Sequence, residues 1–314
     1  MSRRRHAIAL AAATSLATIA IVGGLAMAAL LSSQAPLPDD AISPPKAPSV
    51  SIAPPPTTPT ESGQNSSGGD GSAVIATDCA ASTLAAPTNE MLTAALRQIS
   101  ISHGAEFSAS WYRPDAGVMT AGDLTEQPAW STSKVPLSLA VIQSGQGDAL
   151  TPSISAALRW SDNDAADTLW QALGADDVDR AQAVTDVLRD AGDEATTVPT
   201  TANYPPFSIY GQTQWSAAAQ VGFLTRLPCL AGSGRVIAEM SNVTSAQHWG
   251  LGELPGAVFK GGWGPYAGGG YLVRQFGWYP DQNGSRVPVA FVVHASSFDA
   301  GVDIVNEMTA ALAS

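Results

Sequence analysis

The sequence predicts an α+β domain in which one antiparallel sheet gathers both ends of the folded chain around a helical middle. Residues 106–112 alternate, with Phe107, Ala109 and Trp111 set against Glu106, Ser108 and Ser110, as a half-buried strand does. Three further strand-like stretches, at 257–263, 270–279 and 287–294, lie near the other end of the chain. Between these regions apolar residues recur at helical spacing, and strands at both ends of a helical middle bury their apolar faces best in a shared sheet. From Ala76 onward the chain is long enough to bury roughly 70–75% of its unfolded surface, so neither a metal nor a disulfide framework is needed for stability.

In chain order, residues 1–33 come first. Arg3, Arg4 and Arg5 precede an uncharged run of 25 residues from Ala7 to Leu31, the layout of a secretory signal or a single membrane span. Its length favours an uncleaved anchor with the arginines inside, and Ala26-Met27-Ala28 offers a cleavage site for the alternative, a released protein. Either way the remainder is expected to be exported. Residues 34–75 are rich in Pro, Ser, Thr and Gly, with nine of the 22 prolines falling between Pro36 and Pro59. Such a stretch buries too little apolar surface to order itself, so a linker is expected, with a reach on the order of 100 Å.

The folded domain is then expected over 76–314. A helix starting near Pro87 carries Met91, Leu92, Ala95, Leu96 and Ile99 on its apolar face. The strand at 106–112 turns through Arg113-Pro114-Asp115-Ala116-Gly117 into a short partner at 118–121. Helices are predicted at 131–144, 151–158, 164–173 and 177–189, then an irregular stretch at 191–212 long enough to be a covering or functional loop. Helices at 214–227 and 234–242, the three strands, and a closing helix at 298–313 complete the chain.

A net charge of -12 argues against a nucleic-acid partner, because no cluster of Lys and Arg follows the N-terminus. The two cysteines, Cys79 and Cys229, suit one bridge in an exported protein, two buried thiols being the alternative. His103, His248 and His294 are too scattered for a metal-ligand set, so neither a metal nor another cofactor is expected. Glycines at 261, 262, 264 and 268–270 do not form a phosphate loop, since no Gly-Lys-Ser/Thr follows a strand.

Chemistry gathers at three places. Ser131-Thr132-Ser133-Lys134 opens an apolar helical run, and a Ser three residues before a Lys on a helix puts hydroxyl and amine on one face, where the amine can serve as base. Ser161-Asp162-Asn163 follows, then Lys260-Gly261-Gly262 in a strand-like stretch. Each has an ordinary structural reading too: Ser161-Asp162-Asn163 is a good helix N-cap, and Lys260 an acceptable edge-strand lysine. Trp130, Trp160 and Trp263 flank the three motifs, in the core or along a cleft.

Taken together and in order, these motifs resemble the active-site set of the serine β-lactamases, class A above all, and of the penicillin-binding proteins, over the chain from about Thr88 to the C-terminus. The resemblance implies that Ser131 is the nucleophile, Lys134 its base, Ser161 the proton shuttle to the leaving group, and Lys260 the group that polarises Ser161 and attracts a carboxylate. It further implies that Asn163 binds the substrate amide and that the N–H groups of Ser131 and Trp263 form an oxyanion hole, with Gly262 leaving the backbone accessible. The expected partner is a small-molecule or peptidoglycan-derived substrate, and a monomer is expected.

Three departures accompany the resemblance. Ser161 follows Ser131 at an interval of only 30 positions, which shortens the all-helical subdomain and opens the cleft. The stretch 200–206, where the family carries a water-activating Glu, holds no carboxylate; Asp193 and Glu194 lie a few residues earlier. Position 261 is Gly where the family has a hydroxyl, and Arg274 is the candidate to contact a substrate carboxylate in its place, a paired surface charge being the alternative.

Overall fold

The computed structural model describes residues 89–281 and 284–313. The candidate span, the linker, the expected start of the first helix near Pro87 and Cys79 lie outside the described residues. Among those described, no helix is long and apolar enough to cross a membrane, and there is no free cysteine.

The chain runs α1 (Asn89–His103), β1 (Glu106–Arg113), β2 (Gly117–Gly122), β3 (Gln127–Pro128), a 3-10 turn (Trp130–Ser133), α2 (Lys134–Gln143), α3 (Thr151–Arg159), α4 (Asn163–Gln171) and α5 (Asp177–Asp190). A second 3-10 turn (Tyr210–Gln212) leads to β4 (Gln214–Trp215), α6 (Ala217–Arg226), α7 (Ser233–Met240), β5 (Val258–Pro265), β6 (Tyr271–Pro280), β7 (Arg286–Ala295) and α8 (Phe298–Ala313). The main sheet has the order β2-β1-β7-β6-β5. Every pairing in it is antiparallel, so the first strand of the domain lies directly beside the last. This is the α+β arrangement read from the sequence.

Both faces of the sheet are covered. One carries Phe107, Trp111, Val273 and Phe291 against Leu92 and Leu96 of α1 and Ile304, Val305 and Met308 of α8. The other carries Leu272, Phe276, Ala290 and Val292 against the helical part of the molecule. The expectation that β1 is half-buried is therefore corrected. Its polar positions Ser108 and Ser110 face a second core and are buried, and the Ser110 hydroxyl is satisfied by Thr120 Oγ1 at 2.8 Å. On α1, Met91 was expected on the apolar face but is 71% exposed; Leu92 and Leu96 hold that face. Every residue of α2 from Lys134 to Val141 is buried, which makes it the central helix of the helical part.

The single helix expected over 214–227 is two elements. Gln214 and Trp215 pair with Pro128 and Gln127, and the Ser216 hydroxyl then caps α6 by accepting from Ala219 N at 3.1 Å. The short strand exists because a buried cation binds both of its partners. Arg274, on β6, is fully buried; its Nη1 donates to Gln127 O at 2.9 Å and Pro128 O at 2.8 Å, and its Nη2 to Trp215 O at 2.8 Å and Gln220 Oε1 at 2.7 Å. Gln220 Nε2 in turn donates to Thr132 Oγ1 at 2.9 Å. The substrate-contact role expected of Arg274 is thus corrected: its fork is spent on backbone carbonyls beneath the Trp130–Ser133 turn. Burial without a carboxylate among these partners pulls its pKa down to about 9.

Arg274→Met would leave the part-buried carbonyls of Gln127 and Pro128 and the buried carbonyl of Trp215 without this donor. A loss of about 3 kcal/mol is expected at roughly 1 kcal/mol or more per unsatisfied group. Urea unfolding of the variant against the parent measures it, and a loss below ~1 kcal/mol would contradict a stabilising role for the network.

Candidate active site

Among the described residues, two that are not glycine have positive φ, Trp130 at 47° and Ser161 at 57°. Such backbone costs on the order of 1–3 kcal/mol per residue and needs its surroundings to hold it. Both stand at the motifs singled out above. Trp130 is held by packing: its ring meets Phe207 edge-on with centroids 5.1 Å apart, and it lies so close to Gly264 that a Cβ there would come within 2.4 Å of the ring. Ser133 Oγ also donates to Trp130 O at 2.6 Å. The consequence is a tight 3-10 turn carrying Ser131, with α2 beginning only at Lys134, rather than the unbroken helix from Ser131 expected from the sequence.

Ser161 is held by a lysine. Lys134 Nζ donates to Ser161 O at 2.6 Å, Asp162 O at 3.2 Å and Asn163 Oδ1 at 2.7 Å, with Ser161 Oγ at 3.5 Å. Asp162 caps α4, its Oδ1 accepting from Ala165 N at 2.7 Å, so the N-cap reading of this motif holds and leaves the Ser161 and Asn163 side chains to Lys134 and Lys260. From the other side Lys260 Nζ donates to Ser161 Oγ at 2.8 Å and Gly261 O at 2.9 Å. Lys260 is fully buried, which excludes the edge-strand solvent lysine. One hydroxyl is thus bracketed by two buried amines.

The electrostatics follow from that arrangement. Burial pulls the Lys134 pKa down to about 7, against the opposing pull of the Asp162 and Asp167 carboxylates. Burial also pushes Lys260 well below its ordinary value, and the neighbouring charge of Lys134 pushes the same way. Near neutral pH an uncharged amine is accessible here, as a base must be.

Strand β5 is the sheet edge beside the Ser131 turn. A Cβ on Gly262 would lie 2.8 Å from Ser131 N, 2.9 Å from Thr132 N and 3.1 Å from Ala129 O, so only glycine allows this approach. Along β5, Lys260, Gly262 and Gly264 face the turn while Gly261 and Trp263 face the other core. A Cβ on Gly261 would come within 2.8 Å of the Trp249 ring, which leaves no room for a hydroxyl side chain there. The Trp263 ring packs on Phe298 with centroids 5.0 Å apart, so of this residue only the backbone is offered to the site. Trp160, beside Ser161, keeps 45% of its surface exposed.

The structure therefore brings together Ser131, Lys134, Ser161, Asn163, Lys260 and Gly262, and places Arg274 beneath them. Ser131 Oγ makes no hydrogen bond among the described residues. Asp193 and Glu194 are placed elsewhere. The Asp193 carboxylate accepts from Thr196 N at 3.0 Å and Trp215 Nε1 at 3.0 Å, and Glu194 is 83% exposed with its nearest cation, Arg189, at 4.0 Å. Two residues that the motifs did not flag stand nearby: Tyr210 donates through its hydroxyl to Asp167 Oδ1 at 2.8 Å. Asp167 was readable as the residue one helical turn after Asn163. Tyr210 lay in the irregular stretch and carried no such signal.

This sheet, with a lysine-bracketed serine at its edge, is the serine β-lactamase fold. Solved structures that match it include the TLA-1 extended-spectrum β-lactamase, with 15% identity, a TM-score of 0.60, and 72% of this chain and 98% of that one covered. A β-lactamase from Xanthomonas campestris pv. campestris matches with 17% identity and a TM-score of 0.57 over 73% of this chain and 98% of that one. One from Streptosporangium roseum gives 16% identity and a TM-score of 0.55 over 71% and 97%. No protein-family description matches the sequence, nor does any curated protein.

If Lys134 is the base, reaction of Ser131 with a serine-directed electrophile should rise with pH through about 7 as the ammonium loses its proton. The rate should fall about tenfold per pH unit well below that value. Stopped reactions sampled from about pH 5 to pH 9 test this, and a flat profile would exclude Lys134 from the role. If Ser131 N belongs to an oxyanion site, as the resemblance implies, the same reaction should slow by about 10²-fold in Gly262→Ala, where the new Cβ would crowd that N–H.

Proposed function

We propose that the chain is an exported serine hydrolase that forms an acyl-enzyme at Ser131. The observation that carries this reading is the Ser161 hydroxyl held at 2.8 Å by Lys260, with Lys134 bound to the same turn. Acyl transfer needs a base for the attacking hydroxyl, a proton donor for the leaving group and electrostatic help for the developing oxyanion. Lys134 takes the proton of Ser131 as Oγ attacks the carbonyl carbon. Ser161, fed by the two amines, returns a proton to the departing atom. The N–H groups of Ser131 and Trp263 receive the oxyanion, while Asn163 positions the substrate amide and Lys260 draws in a substrate carboxylate.

The substrate class is a β-lactam, peptide or ester carbonyl of small-molecule or cell-wall origin, bound by a monomer. Hydrolysis of the acyl-enzyme is slow, because no carboxylate is hydrogen-bonded to Lys134 among the described residues. The N-terminal run serves as membrane anchor or cleaved signal, and residues 34–75 as the tether that lets the domain reach the wall. In that oxidising compartment Cys79 and Cys229 are joined. A second reading is a catalytically silent domain that binds cell-wall peptide or acts as a sensor. It is favoured by the lack of a hydrogen bond between Ser131 Oγ and Lys134, although catalytic hydrogen bonds often tighten only when substrate is bound.

Intact-protein mass after incubation of the full-length chain with a reactive β-lactam, and separately with a fluorophosphonate, decides between the two. The hydrolase reading expects an adduct on the parent, persistent with the β-lactam, and none on Ser131→Ala. Equal masses for parent and variant with both reagents would establish the silent domain.

A further inference from the structure

Hydrolysis of an acyl-enzyme at Ser131 requires a group that takes a proton from water on the open side of the site. Four carboxylates are in question. Asp193 and Glu194 are placed away from Lys134, as described above. Asp162 is committed through Oδ1 to the N-cap of α4. Asp167 remains, four residues after Asn163 on α4 and so on the same helix face, one turn along from the side chain that binds Lys134 Nζ at 2.7 Å.

Asp167 is exposed to solvent, yet it is not free to wander. Tyr210, only 2% exposed, donates to its Oδ1 at 2.8 Å. Tyr210 begins the 3-10 turn that packs against the Ser131 turn: a Cβ on Gly211 would stand 3.7 Å from Trp130 Cα and Trp130 O. The tyrosine ring is itself set against Trp170 of α4, with centroids 5.5 Å apart. The carboxylate is thus fixed from the same turn region that fixes the nucleophile, and its charge is felt at Lys134. Its Oδ2 makes no hydrogen bond among the described residues, which leaves an acceptor for water. Burial and the facing carboxylate both raise the proton affinity of Tyr210, so the phenol stays a donor at any pH the reaction would meet.

We propose that Asp167, oriented by the Tyr210 hydroxyl, is the base that activates water for hydrolysis of the Ser131 acyl-enzyme. This rests on the acyl-enzyme reading above. Asp167 takes one proton from water as the water oxygen bonds to the acyl carbon. The bond from that carbon to Ser131 Oγ then breaks, and Oγ receives a proton from Lys134 while solvent relays the proton held by the exposed Asp167 to Lys134. The free acid leaves, and Ser131, Lys134 and Asp167 return to their starting protonation.

The test uses the full-length chain and p-nitrophenyl acetate, for the parent, Asp167→Asn, Asp167→Ala, Tyr210→Phe and Ser131→Ala. The burst of p-nitrophenolate reports acylation, and intact mass over time reports decay of the acetylated serine. In Asp167→Asn and Asp167→Ala the loss should fall on decay, slowed by about 10²-fold or more, the usual range for a general base. In Tyr210→Phe decay should slow by about tenfold, as for the loss of one charge-assisted hydrogen bond. Decay at the parent rate in both Asp167 variants would overturn the proposal while leaving the acyl-enzyme reading intact. Equal losses in burst rate and decay would also overturn it, by making Asp167 and Tyr210 structural only. A parent that behaves as Ser131→Ala would instead sink the acyl-enzyme reading, and this proposal with it.

Discussion

Two buried lysines meet at one serine hydroxyl, and much of the local architecture exists to make that tolerable. An amine removed from water loses several kcal/mol of hydration when charged, and among the described residues neither nitrogen has a direct carboxylate partner. What it supplies is a ring of neutral oxygens: the carbonyls of Ser161 and Asp162 and the Asn163 amide for Lys134, and the Gly261 carbonyl with the Ser161 hydroxyl for Lys260. Such oxygens bind a proton-bearing amine without locking it in the charged state. The left-handed backbone of Ser161 follows from the same requirement, because it turns carbonyl and hydroxyl toward one nitrogen. Asp162 can then cap α4 on the outside of that turn.

The opposite wall is organised by size. Gly262 and Gly264 lie where any Cβ would strike, respectively, the backbone of the Ser131 turn and the ring of Trp130. The edge of the sheet therefore presses directly on the Ser131 turn. Beneath it Arg274 binds three carbonyls from β3 and β4, and Gln220 passes that fixation on to Thr132. The strained turn carrying Ser131 is thus held from the side by glycines and from below by a buried guanidinium. Neither holder needs to touch a substrate.

Most of the fold was legible in the sequence because its periodicities are local. The closing helix, the three C-terminal strands and the helices flanking Ser161 follow from apolar spacing and N-cap residues. What spacing misled on were places where distant segments decide. Ser108 and Ser110 alternate as an exposed face would, yet a second layer covers them. Gln214 and Trp215 continue a helical pattern, yet Arg274 draws them into a strand. The three motifs of the site were legible because each is contiguous in sequence. The role of Arg274 was not, since nothing in a sequence tells a guanidinium aimed at solvent from one folded under a turn. Nor was Tyr210, whose partner Asp167 lies 43 residues away.

The placement of acidic groups around Lys134 divides the chemistry between two sites. A carboxylate hydrogen-bonded to Lys134 Nζ would favour the ammonium, raise its pKa and leave the amine unable to serve as base near neutral pH. Here the nearest oxygens are neutral, burial prevails and the pKa falls to about 7, so the amine itself is fitted to take the proton of Ser131. Asp167 acts on Lys134 through space, where it softens that shift without cancelling it. On the proposed reading, the same separation makes attack by the serine and attack by water unequal in rate: the first draws on a base buried among its acceptors, the second on a carboxylate that is exposed and held by a single tyrosine. On that reading, a site built this way favours formation of the acyl-enzyme over its hydrolysis and yields a covalent, slowly cleared complex.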